Sequence, residues 1–325
     1  MRATVTGGAG FIGSNIVCSL LEGGADVVVL DDFSTGHETN LPEHPNLEII
    51  EGDIRDSEVV ARAVAGCETV FHLAASVGNR RALQDPVVDS EINVIGSLKV
   101  LMAAAAAGVR NVVASSSAAI YGEAAMQPVG EKAPMAPATP YAASKLAMES
   151  QGRAFSILQK LDVVCLRYFN VYGEHQRFDR YGNVIPIFAR RLLRNEPLVI
   201  YGDGQQTRDF VHVSDVVAAN LAAAGARGLC GAYNIASGTG ATINSLVTEL
   251  GTAAGRPVAV QHAGPRVGDV RHSRADIRAA TRDLGYRPQV ALRDGLVRYL
   301  AWLEGTPDGP AAVPQPAASE ARLHV

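Results

Sequence analysis

The sequence predicts an α/β protein in which helices cover both faces of a doubly wound parallel sheet, with a smaller C-terminal lobe interleaved with it. Two observations support this fold class. In the first half of the chain, short apolar runs of β type alternate with amphipathic or alanine-rich helical segments, and this alternation is typical of a parallel sheet. After about residue 170, glycine, proline, asparagine and arginine become frequent and the predicted helices are shorter. Such a sheet binds ligands at the carboxyl ends of its strands.

The alternation predicts individual elements and three regions of the chain. Residues 1–170 are predicted to form the first domain, residues 171–305 mainly the second lobe, and residues 306–325, rich in proline and alanine without any period, a disordered tail. The predicted strands are 3–6, 26–30, 47–51, 69–72, 111–115 and 163–168, and the predicted helices include 11–22, 57–65, 88–107 and 141–160.

Composition excludes several classes of function. The 325 residues are 47% hydrophobic with a net charge of −4 and no long run of lysine or arginine, so the chain lacks the basic surface of a nucleic-acid binder. The four cysteines form no C-x-x-C pair and are expected to be reduced packing thiols, and we expect no metal site. No apolar run approaches the ~20 residues of a membrane helix, and no signal peptide is present, so we expect a soluble cytoplasmic protein without membrane partners.

A glycine-rich turn follows the first predicted strand and opens a helix. Gly7, Gly10 and Gly13 fit G-x-x-G-x-x-G, while Gly8, Gly10 and Gly13 also fit G-x-G-x-x-G, so spacing alone leaves both dinucleotide subtypes open. Glycines permit the tight turn and let the backbone approach a pyrophosphate, and the helix N-terminus then faces the anion. The sequence therefore predicts a Rossmann-type dinucleotide site.

Carboxylates at two strand ends refine this site. The second predicted strand leads into Asp31 and Asp32, and Asp31 lies 18 residues after Gly13. A carboxylate there accepts from both adenosine ribose hydroxyls and repels a 2′-phosphate, which favours NAD over NADP. After the third strand, Asp53 is placed to accept from the adenine amino group. Residues 73–75, which follow the fourth strand, are expected to line the cofactor ribose and phosphates.

A tyrosine, a lysine and a serine form the predicted catalytic set. Tyr141 and Lys145 have the spacing Y-x-x-x-K, which places both on one face of a helix. A tyrosine with its ordinary pKa of about 10 is a poor base at neutral pH, but a neighbouring ammonium and a positive nicotinamide ring both favour the phenolate. Ser117 follows the fifth predicted strand, at the sheet edge expected over the nicotinamide, where it can bond the substrate oxygen that Tyr141 deprotonates.

The order of these motifs resembles a known family. TGGAGFIG, the Asp31 carboxylate, GDIRD, HLAA, SSSAAIYG, YAASK and RYFNVYG occur in the order of the extended short-chain dehydrogenases that modify nucleotide sugars, over about residues 2–304. The resemblance implies tightly held NAD and a nucleotide-sugar substrate. The complete predicted cofactor site comprises Gly7, Gly10, Phe11, Ile12, Gly13, Asp31, Asp32, Ser34, Thr35, Gly36, Asp53, Ile54, Leu73, Ala74, Ala75, Asn93, Ser115, Tyr141, Lys145 and Tyr168.

The residues after Ser117 distinguish among the reactions of this family. Its 4,6-dehydratases carry an Asp-Glu pair at the positions of Ala118 and Ala119, its decarboxylases carry Glu at the second position, and related 3,5-epimerases carry Cys at the first. Alanine cannot transfer a proton. The resemblance therefore implies a UDP-sugar 4-epimerase. In that reaction Tyr141 takes the proton of the sugar 4-hydroxyl, NAD⁺ takes hydride from C4, and the transient 4-keto sugar presents its other face before both return.

The resemblance also implies where the nucleotide sugar binds. Tyr201 matches an aromatic residue that stacks on uracil, Arg208 and Arg266 match phosphate-binding arginines, and an arginine fork suits phosphate oxygens. Asp269 is expected to accept from the ribose. The predicted substrate residues are Ser117, Asn170, Asn183, Val184, Tyr201, Arg208, Arg266, Asp269 and Ser273.

The identity of the sugar stays open at this point. Ser273 matches a position where a bulky aromatic restricts the pocket in some epimerases, so its small side chain favours UDP-GlcNAc and UDP-GalNAc besides UDP-Glc and UDP-Gal. Arg177 matches an arginine that grips the carboxylate in UDP-glucuronate 4-epimerases, although Asn170 stands where those enzymes often have threonine. UDP-glucuronate and dTDP-sugars therefore remain alternatives, as do a net redox enzyme and a non-catalytic dinucleotide sensor. In this family a long helix pair such as 88–107 and 141–160 forms a four-helix interface, which implies a homodimer.

Overall fold

The computed structural model describes residues 1–124, 126–178, 182–265 and 270–306. Its strands are β1 (Arg2–Thr6), β2 (Asp26–Asp31), β3 (Leu47–Glu51), β4 (Thr69–His72), β5 (Asn111–Ser117), β6 (Asp162–Tyr168), β7 (Asn170–Tyr172), β8 (Leu198–Tyr201), β9 (Thr207–Arg208), β10 (Phe210–His212), β11 (Gly231–Ile235), β12 (Ala241–Thr242) and β13 (Val260–Ala263). Its α-helices are α1 (Phe11–Glu22), α2 (Ser57–Val64), α3 (Asn79–Gln84), α4 (Pro86–Ser90), α5 (Ser97–Ala106), α6 (Pro140–Gln159), α7 (Val184–Leu193), α8 (Val213–Gly225), α9 (Ile243–Ala254), α10 (Arg278–Leu284) and α11 (Leu292–Glu304).

Seven strands form one parallel sheet in the order β11-β6-β5-β4-β1-β2-β3. The strand order reverses beside β1, which lies between β2 and β4. Loops that leave the strands at such a switch point diverge, and the crevice between them is where open α/β sheets bind ligands. The predicted Rossmann-type fold class is therefore confirmed.

All six predicted strands are present, and two of them extend towards the ligand edge. Strand β2 includes Asp31 and β5 includes Ser117, so both residues belong to the rigid sheet. The predicted helix over 88–107 is interrupted by a π-helical stretch, Glu91–Gly96, between α4 and α5. Strand β11 was not predicted, because its five residues lie in the half of the chain whose sequence pattern indicated a separate lobe.

Apolar clusters fill both faces of the sheet. One face packs against α1, α8 and α10, the other against α2, α5 and α6, as expected for a sheet that is buried on both sides. The first cluster includes Val5, Ile16, Val29, Phe71, Leu166, Val216 and Ile235, and the second includes Val28, Val60, Val70, Val100, Val112, Met148 and Cys165.

The second lobe is built on three small two-stranded sheets. Strands β8 and β13 pair in parallel, β9 and β12 antiparallel, and β7 and β10 in parallel. Helices α7, α9 and α11 cover them around a core that includes Phe188, Leu198, Phe210, Leu246 and Tyr299. Between these parts the chain returns to the first sheet through α8 and β11. The division at residue 170 stays a prediction, and the predicted tail beyond Thr306 lies outside the described residues.

The structure bears on two expectations from composition, the lack of a membrane helix and the packing role of the cysteines. No helix among the described residues is long and apolar enough to cross a membrane. The four cysteines are free; Cys67 and Cys165 are buried and Cys18 partly so, but Cys230 is exposed and is not a packing residue.

A buried ion pair joins the middle of the sheet to α6. Arg167 on β6 donates to both oxygens of Glu149 on α6, at 2.9 and 2.7 Å, and both side chains are less than a tenth exposed. Arg167 also donates to the Tyr121 hydroxyl at 2.7 Å, and that hydroxyl donates to Asn234 on β11 at 2.7 Å. On β5, Ser116 donates to the same carboxylate. One network therefore fixes β5, β6, β11 and α6 relative to each other.

Replacing Glu149 with Gln should destabilise the protein strongly. Arg167 would stay buried without its counter-charge, a change that typically costs about 3–5 kcal/mol of unfolding free energy. Denaturant unfolding followed by circular dichroism measures the difference. The matched control is Arg278→Ala, which breaks an exposed pair with Asp276 and should leave the midpoint in place. Equal midpoints for both variants would show that the buried pair does not stabilise the fold.

Candidate active site

The glycine-rich turn between β1 and α1 packs directly on the loop after β4. Gly7 has a φ of +68°, and a Cβ on it would lie 2.6 Å from the Ala74 nitrogen. A Cβ on Gly13 would lie 2.1 Å from the Gly7 carbonyl oxygen. Gly10 precedes α1, and no side chain caps this helix. The free N–H groups of the first turn suit a pyrophosphate, so the turn fits a dinucleotide.

Asp31 lies at the end of β2 with its carboxylate turned towards this glycine-rich turn. Its oxygens accept from the backbone N–H groups of Ala9 and Phe33, both at 2.9 Å. Burial raises the pKa of Asp31, and these two N–H groups oppose the rise. Each oxygen keeps a lone pair, which fits the predicted bonds to ribose hydroxyls. Asp32 is exposed and accepts from the N–H and hydroxyl of Ser34, so it shapes the loop that continues through Thr35 and Gly36.

Asp53 has a partner that the sequence analysis did not consider. The Arg55 guanidinium donates to it from Nε at 2.9 Å and from Nη2 at 2.6 Å, and holds its pKa below the usual range. Its predicted role towards adenine stays a prediction. The neighbouring Ile54 is buried beneath the π-helical stretch, where a Cβ on Gly96 would meet its Cδ1 at 2.7 Å.

Asn93 supports the loop that carries Leu73, Ala74 and Ala75. It is buried in the π-helical stretch, and its Oδ1 accepts from the Ser76 N–H at 2.8 Å while its Nδ2 donates to the Ser76 carbonyl at 3.0 Å. The structure thus shows Asn93 bonded to the backbone behind the predicted cofactor site.

The predicted catalytic residues meet where β5 ends and α6 begins. Thr139 caps α6, accepting from the Ala142 N–H at 3.2 Å, and this places Tyr141 in the first turn. Lys145, one turn later, is buried and donates to the Ser115 carbonyl at 2.9 Å. Tyr141 also interacts with the Ser117 side chain by a hydrogen bond, which opposes the stronger effect of burial on the pKa of the tyrosine. The three side chains therefore converge at the carboxyl edge of the sheet.

Burial is the largest influence on the pKa of Tyr141. In the protein by itself, burial raises it to about 12, and the bond from Ser117 only partly offsets this. Burial also lowers the pKa of Lys145 to about 8, because the ammonium form loses its hydration. The predicted lowering depends on the lysine and the nicotinamide ring acting together, and it stays a prediction.

Tyr168 and Asn170 follow each other across the end of β6. Tyr168 lies opposite Ser117 in the strand register, and its buried hydroxyl donates to Asn220 on α8 at 3.0 Å. Asn170 opens β7 and donates from its backbone N–H and its Nδ2 to the Asp209 carbonyl, at 3.1 and 3.3 Å.

Asp209 connects the parts of the second lobe, and sequence reasoning missed it. It is fully buried, and its carboxylate accepts from the N–H and hydroxyl of Ser237 at 2.8 and 2.6 Å, and from the N–H groups of Gly238 and Ala275, both at 3.1 Å. Its position next to Arg208, a predicted phosphate ligand, is the sequence feature that could have pointed to Asp209.

The other predicted substrate residues lie on the second lobe. Tyr201 ends β8, Arg208 lies on β9, and the Ser273 N–H donates to the carbonyl of Thr207 at 3.2 Å, which places Ser273 beside β9. Asn183 is exposed at the start of α7, and Val184 is the first residue of that helix. Arg266 and Asp269 lie outside the described residues. Within the described ranges, no group of histidine, cysteine and acidic residues could hold a metal ion.

A sequence profile described as the NAD dependent epimerase/dehydratase family matches residues 3–236. The chain belongs to this family. Among relatives, it is similar to the UDP-glucose 4-epimerase of Mycolicibacterium smegmatis, with 40% identity over 303 residues that make up 92% of this chain and 97% of that protein. The predicted family and NAD as its cofactor are therefore confirmed.

Two solved structures of epimerases are similar to the whole fold. The UDP-glucose 4-epimerase of Thermotoga maritima, solved with UDP-glucose, has a TM-score of 0.89 and 38% identity, covering 94% of this chain and 99% of that one. The UDP-N-acetylglucosamine 4-epimerase of Methanobrevibacter ruminantium, solved with UDP-N-acetylmuramic acid, has a TM-score of 0.90 and 35% identity, covering 93% and 97%.

Gly13→Ala should abolish tight binding of NAD. The new methyl group meets the Gly7 carbonyl oxygen, a backbone atom that moves only if the turn opens, so we expect at least a ~10-fold loss of bound NAD. Cofactor released from the purified, denatured protein measures this. Gly23→Ala is the control, because this glycine ends the same helix and a Cβ there has only ordinary contacts of 3.4 Å. Full NAD content in Gly13→Ala would contradict the assigned site.

Proposed function

We propose that the protein is an NAD-dependent epimerase that inverts C4 of a UDP-sugar through a transient 4-keto intermediate. The observation that carries this proposal is the convergence of Ser117, Tyr141 and Lys145 at the carboxyl edge of the sheet that also carries the glycine-rich turn. Ala118 and Ala119 follow Ser117 in a short 3₁₀ turn and are partly exposed at this edge. They supply no further acid or base, which favours a reaction that returns its proton and hydride over an elimination.

Each side chain has a proposed task. NAD, when bound, takes the hydride from C4 and returns it. Tyr141 holds the proton of the sugar 4-hydroxyl, and Ser117 bonds the same oxygen. Lys145 provides a positive charge one helical turn away, which favours the phenolate over the phenol. Because burial raises the pKa of Tyr141, the proposed base depends on these positive charges.

The second lobe supports an anchor for the nucleotide. We assign phosphate and uracil binding to Asn183, Val184, Tyr201 and Arg208, with Arg266 and Asp269 outside the described residues. The buried carboxylate of Asp209 keeps the segment of Ser273 beside the strand of Arg208. Such an anchor lets binding energy from the nucleotide serve the chemistry at C4 while the sugar turns.

The sugar is proposed to be glucose or galactose, with or without the N-acetyl group. Ser273, which matches a position that a bulky aromatic fills in some epimerases, is proposed to leave room for such a group. Arg177, the basis of the glucuronate alternative, donates from Nη2 to the Thr39 hydroxyl at 3.0 Å. Thr39 lies in the segment after β2, near Ala9, the residue of the glycine-rich turn that bonds to Asp31. This contact therefore directs the arginine towards the predicted binding site of the cofactor's adenosine. The contact counts against a carboxylate grip at the sugar.

Product analysis tests the reaction. Purified protein is incubated separately with UDP-Glc, UDP-GlcNAc and UDP-GlcA without added NAD, and products are resolved by chromatography and NMR. We expect the 4-epimers of the first two and little from the third. Tyr141→Phe, which keeps the ring but loses the proton carrier, should lower turnover at least ~100-fold and keep its NAD. No epimer from any of the three, despite bound NAD, would move the assignment to another sugar nucleotide or a net redox reaction.

We also propose that the protein is a homodimer. Apolar side chains lie exposed along the outer surface of α4, α5 and the end of α6, and three of them, Val88, Ile95 and Met102, recur at intervals of seven residues. Met102 is 57% exposed and Leu158 on α6 is 77% exposed. A patch of this kind on neighbouring helices is typical of a subunit interface. The cytoplasmic location and the lack of a nucleic-acid partner rest on the sequence and stay predictions.

Met102→Glu should convert the dimer to a monomer. The new carboxylate would lie in the apolar interface, where it loses hydration without gaining a partner. Light scattering coupled to gel filtration gives the mass. Val297→Glu places the same charge on another exposed apolar residue, on α11, and should stay dimeric. A wild-type protein that elutes as a monomer, or a dimeric Met102→Glu, would rule out this interface.

A further inference from the structure

A buried carboxylate lies behind the catalytic helix. Asp89, near the end of α4, is 1% exposed. Its Oδ2 accepts from the Ser144 hydroxyl at 2.7 Å, and its Oδ1 accepts from the Asn93 amide at 3.2 Å. No cationic side chain pairs with it among the residues that the structure describes. A carboxylate that is buried with neutral donors only is costly to keep, so its place next to α6 calls for a function.

The Ser144 hydroxyl ties this carboxylate to the catalytic helix. Ser144 lies between Tyr141 and Lys145 in sequence, and its oxygen is also 3.0 Å from the Tyr141 carbonyl. A hydroxyl has one proton, and the shorter, charge-assisted bond to Asp89 takes it. Since successive side chains on a helix point in fixed directions, holding Ser144 fixes the rotation of α6 and with it the directions of Tyr141 and Lys145.

Asn93 connects the same carboxylate to the cofactor loop. The Ser76 N–H bonds to its Oδ1. Its Nδ2 lies 3.0 Å from the Ser144 oxygen, 3.2 Å from Asp89 and 3.0 Å from the Ser76 carbonyl, so its two N–H groups are shared among three acceptors. Residues 73–76 back the glycine-rich turn. Asp89 therefore bonds, directly or through Asn93, to both elements that frame the predicted nicotinamide site.

Asp89 also acts electrostatically on Lys145, and its carboxylate has only neutral hydrogen-bond donors among the described residues. Four groups act on this lysine: Asp89 from α4, Glu149 from α6, Cys165 from β6 and His72 from β4. Glu149 is paired with Arg167. Burial raises the pKa of the Cys165 thiol and lowers the pKa of His72 to about 3, so both are neutral at neutral pH.

The remaining charges on the packed elements lie at the surface. Arg80 and Arg81 of α3 and Asp85 at the start of α4 are exposed, and Glu91 is bonded to Arg55. Asp89 opposes the effect of burial on Lys145 by raising its pKa, and it also raises the pKa of Tyr141.

We propose that Asp89 is a positioning residue for the catalytic pair: its carboxylate fixes α6 through Ser144, and its charge holds Lys145 as an ammonium. The inference rests on the proposed function, because Asp89 acts through Tyr141 and Lys145. It assigns a task to a buried acid that is not itself among the predicted site residues and that bonds to one of them, Asn93.

Asp89→Asn in the holoenzyme tests the charge. Without the carboxylate, the pKa values of both Tyr141 and Lys145 fall. The pH profile of kcat/KM has an acid limb, where the tyrosine must lose its proton, and a basic limb, where the lysine loses its own. Both limbs should move to lower pH by about half a unit or more. These limbs report apparent pKa values of the coupled pair. KM should change by less than ~2-fold, since the substrate contacts stay in place.

Two further variants separate charge from shape. Ser144→Ala keeps the charge and removes the tether, so kcat should fall by about 3- to 10-fold with both limbs in place. Asp85→Asn removes an exposed charge from the start of the same helix and keeps a good cap, so its profile should match the wild type. Limbs of Asp89→Asn that coincide with those of Asp85→Asn would overturn the proposal. Asp89→Ser takes its place if circular dichroism shows that Asp89→Asn does not fold.

A second readout needs no turnover. Tyrosinate absorbance, taken as the difference between each holoenzyme and its Tyr141→Phe counterpart, titrates Tyr141 alone. We expect this titration at lower pH in Asp89→Asn than in the wild type, and no shift would again contradict the role of Asp89. Absence of epimerase activity in the wild type, with the tyrosine shift present, would count against the proposed reaction and leave the positioning role standing.

Discussion

The ion pair between Arg167 and Glu149 holds the site in one geometry. Arg167 lies one residue before the end of β6, and Glu149 lies one turn after Lys145 on α6, so the pair connects the strand that leads to Asn170 with the helix that carries the proposed base. Ser116 bonds the same carboxylate next to Ser117. None of these elements can shift without leaving a buried charge unpaired, and that penalty is large compared with the stability of a typical domain.

Above this rigid base, the chemistry depends on a balance between burial and charge. Burial disfavours both the phenolate of Tyr141 and the ammonium of Lys145, although the proposed reaction needs both. Ser117 and Asp89 each correct one side of this balance: the hydroxyl stabilises the phenolate, and the carboxylate stabilises the ammonium. The two corrections are not independent, because Asp89 supports the ammonium of Lys145 and at the same time disfavours the phenolate of Tyr141, which Ser117 stabilises.

Local patterns predicted the first half of the chain well. The glycine spacing, the apolar runs and the Y-x-x-x-K helix each depend on residues that are close in sequence, and the structure has the corresponding strands and helices where they were expected. The family motifs then predicted NAD and the epimerase family. The sequence did not predict the contacts of Asp209 and Asp89 or the strand β11, because their partners lie far away in the chain. Asp209 bonds to residues near 237 and 275, and Asp89 bonds to Ser144 on another helix. The effect of burial on the pKa of Tyr141 was not predicted for a related reason, since burial is a property of the folded chain.

The return of the chain to the first sheet limits how this protein can change. Strand β11 comes from the second half of the sequence, yet it completes the sheet by pairing with β6 along its whole length, from Val164 to Tyr168. A crossover that exchanged everything after residue 170 for the lobe of another enzyme would also replace this strand, and a poor match would leave the β6 edge open to aggregation. New sugar preferences in this architecture are therefore expected more readily from substitutions at single positions, such as the proposed pocket residue Ser273, than from exchange of the whole lobe.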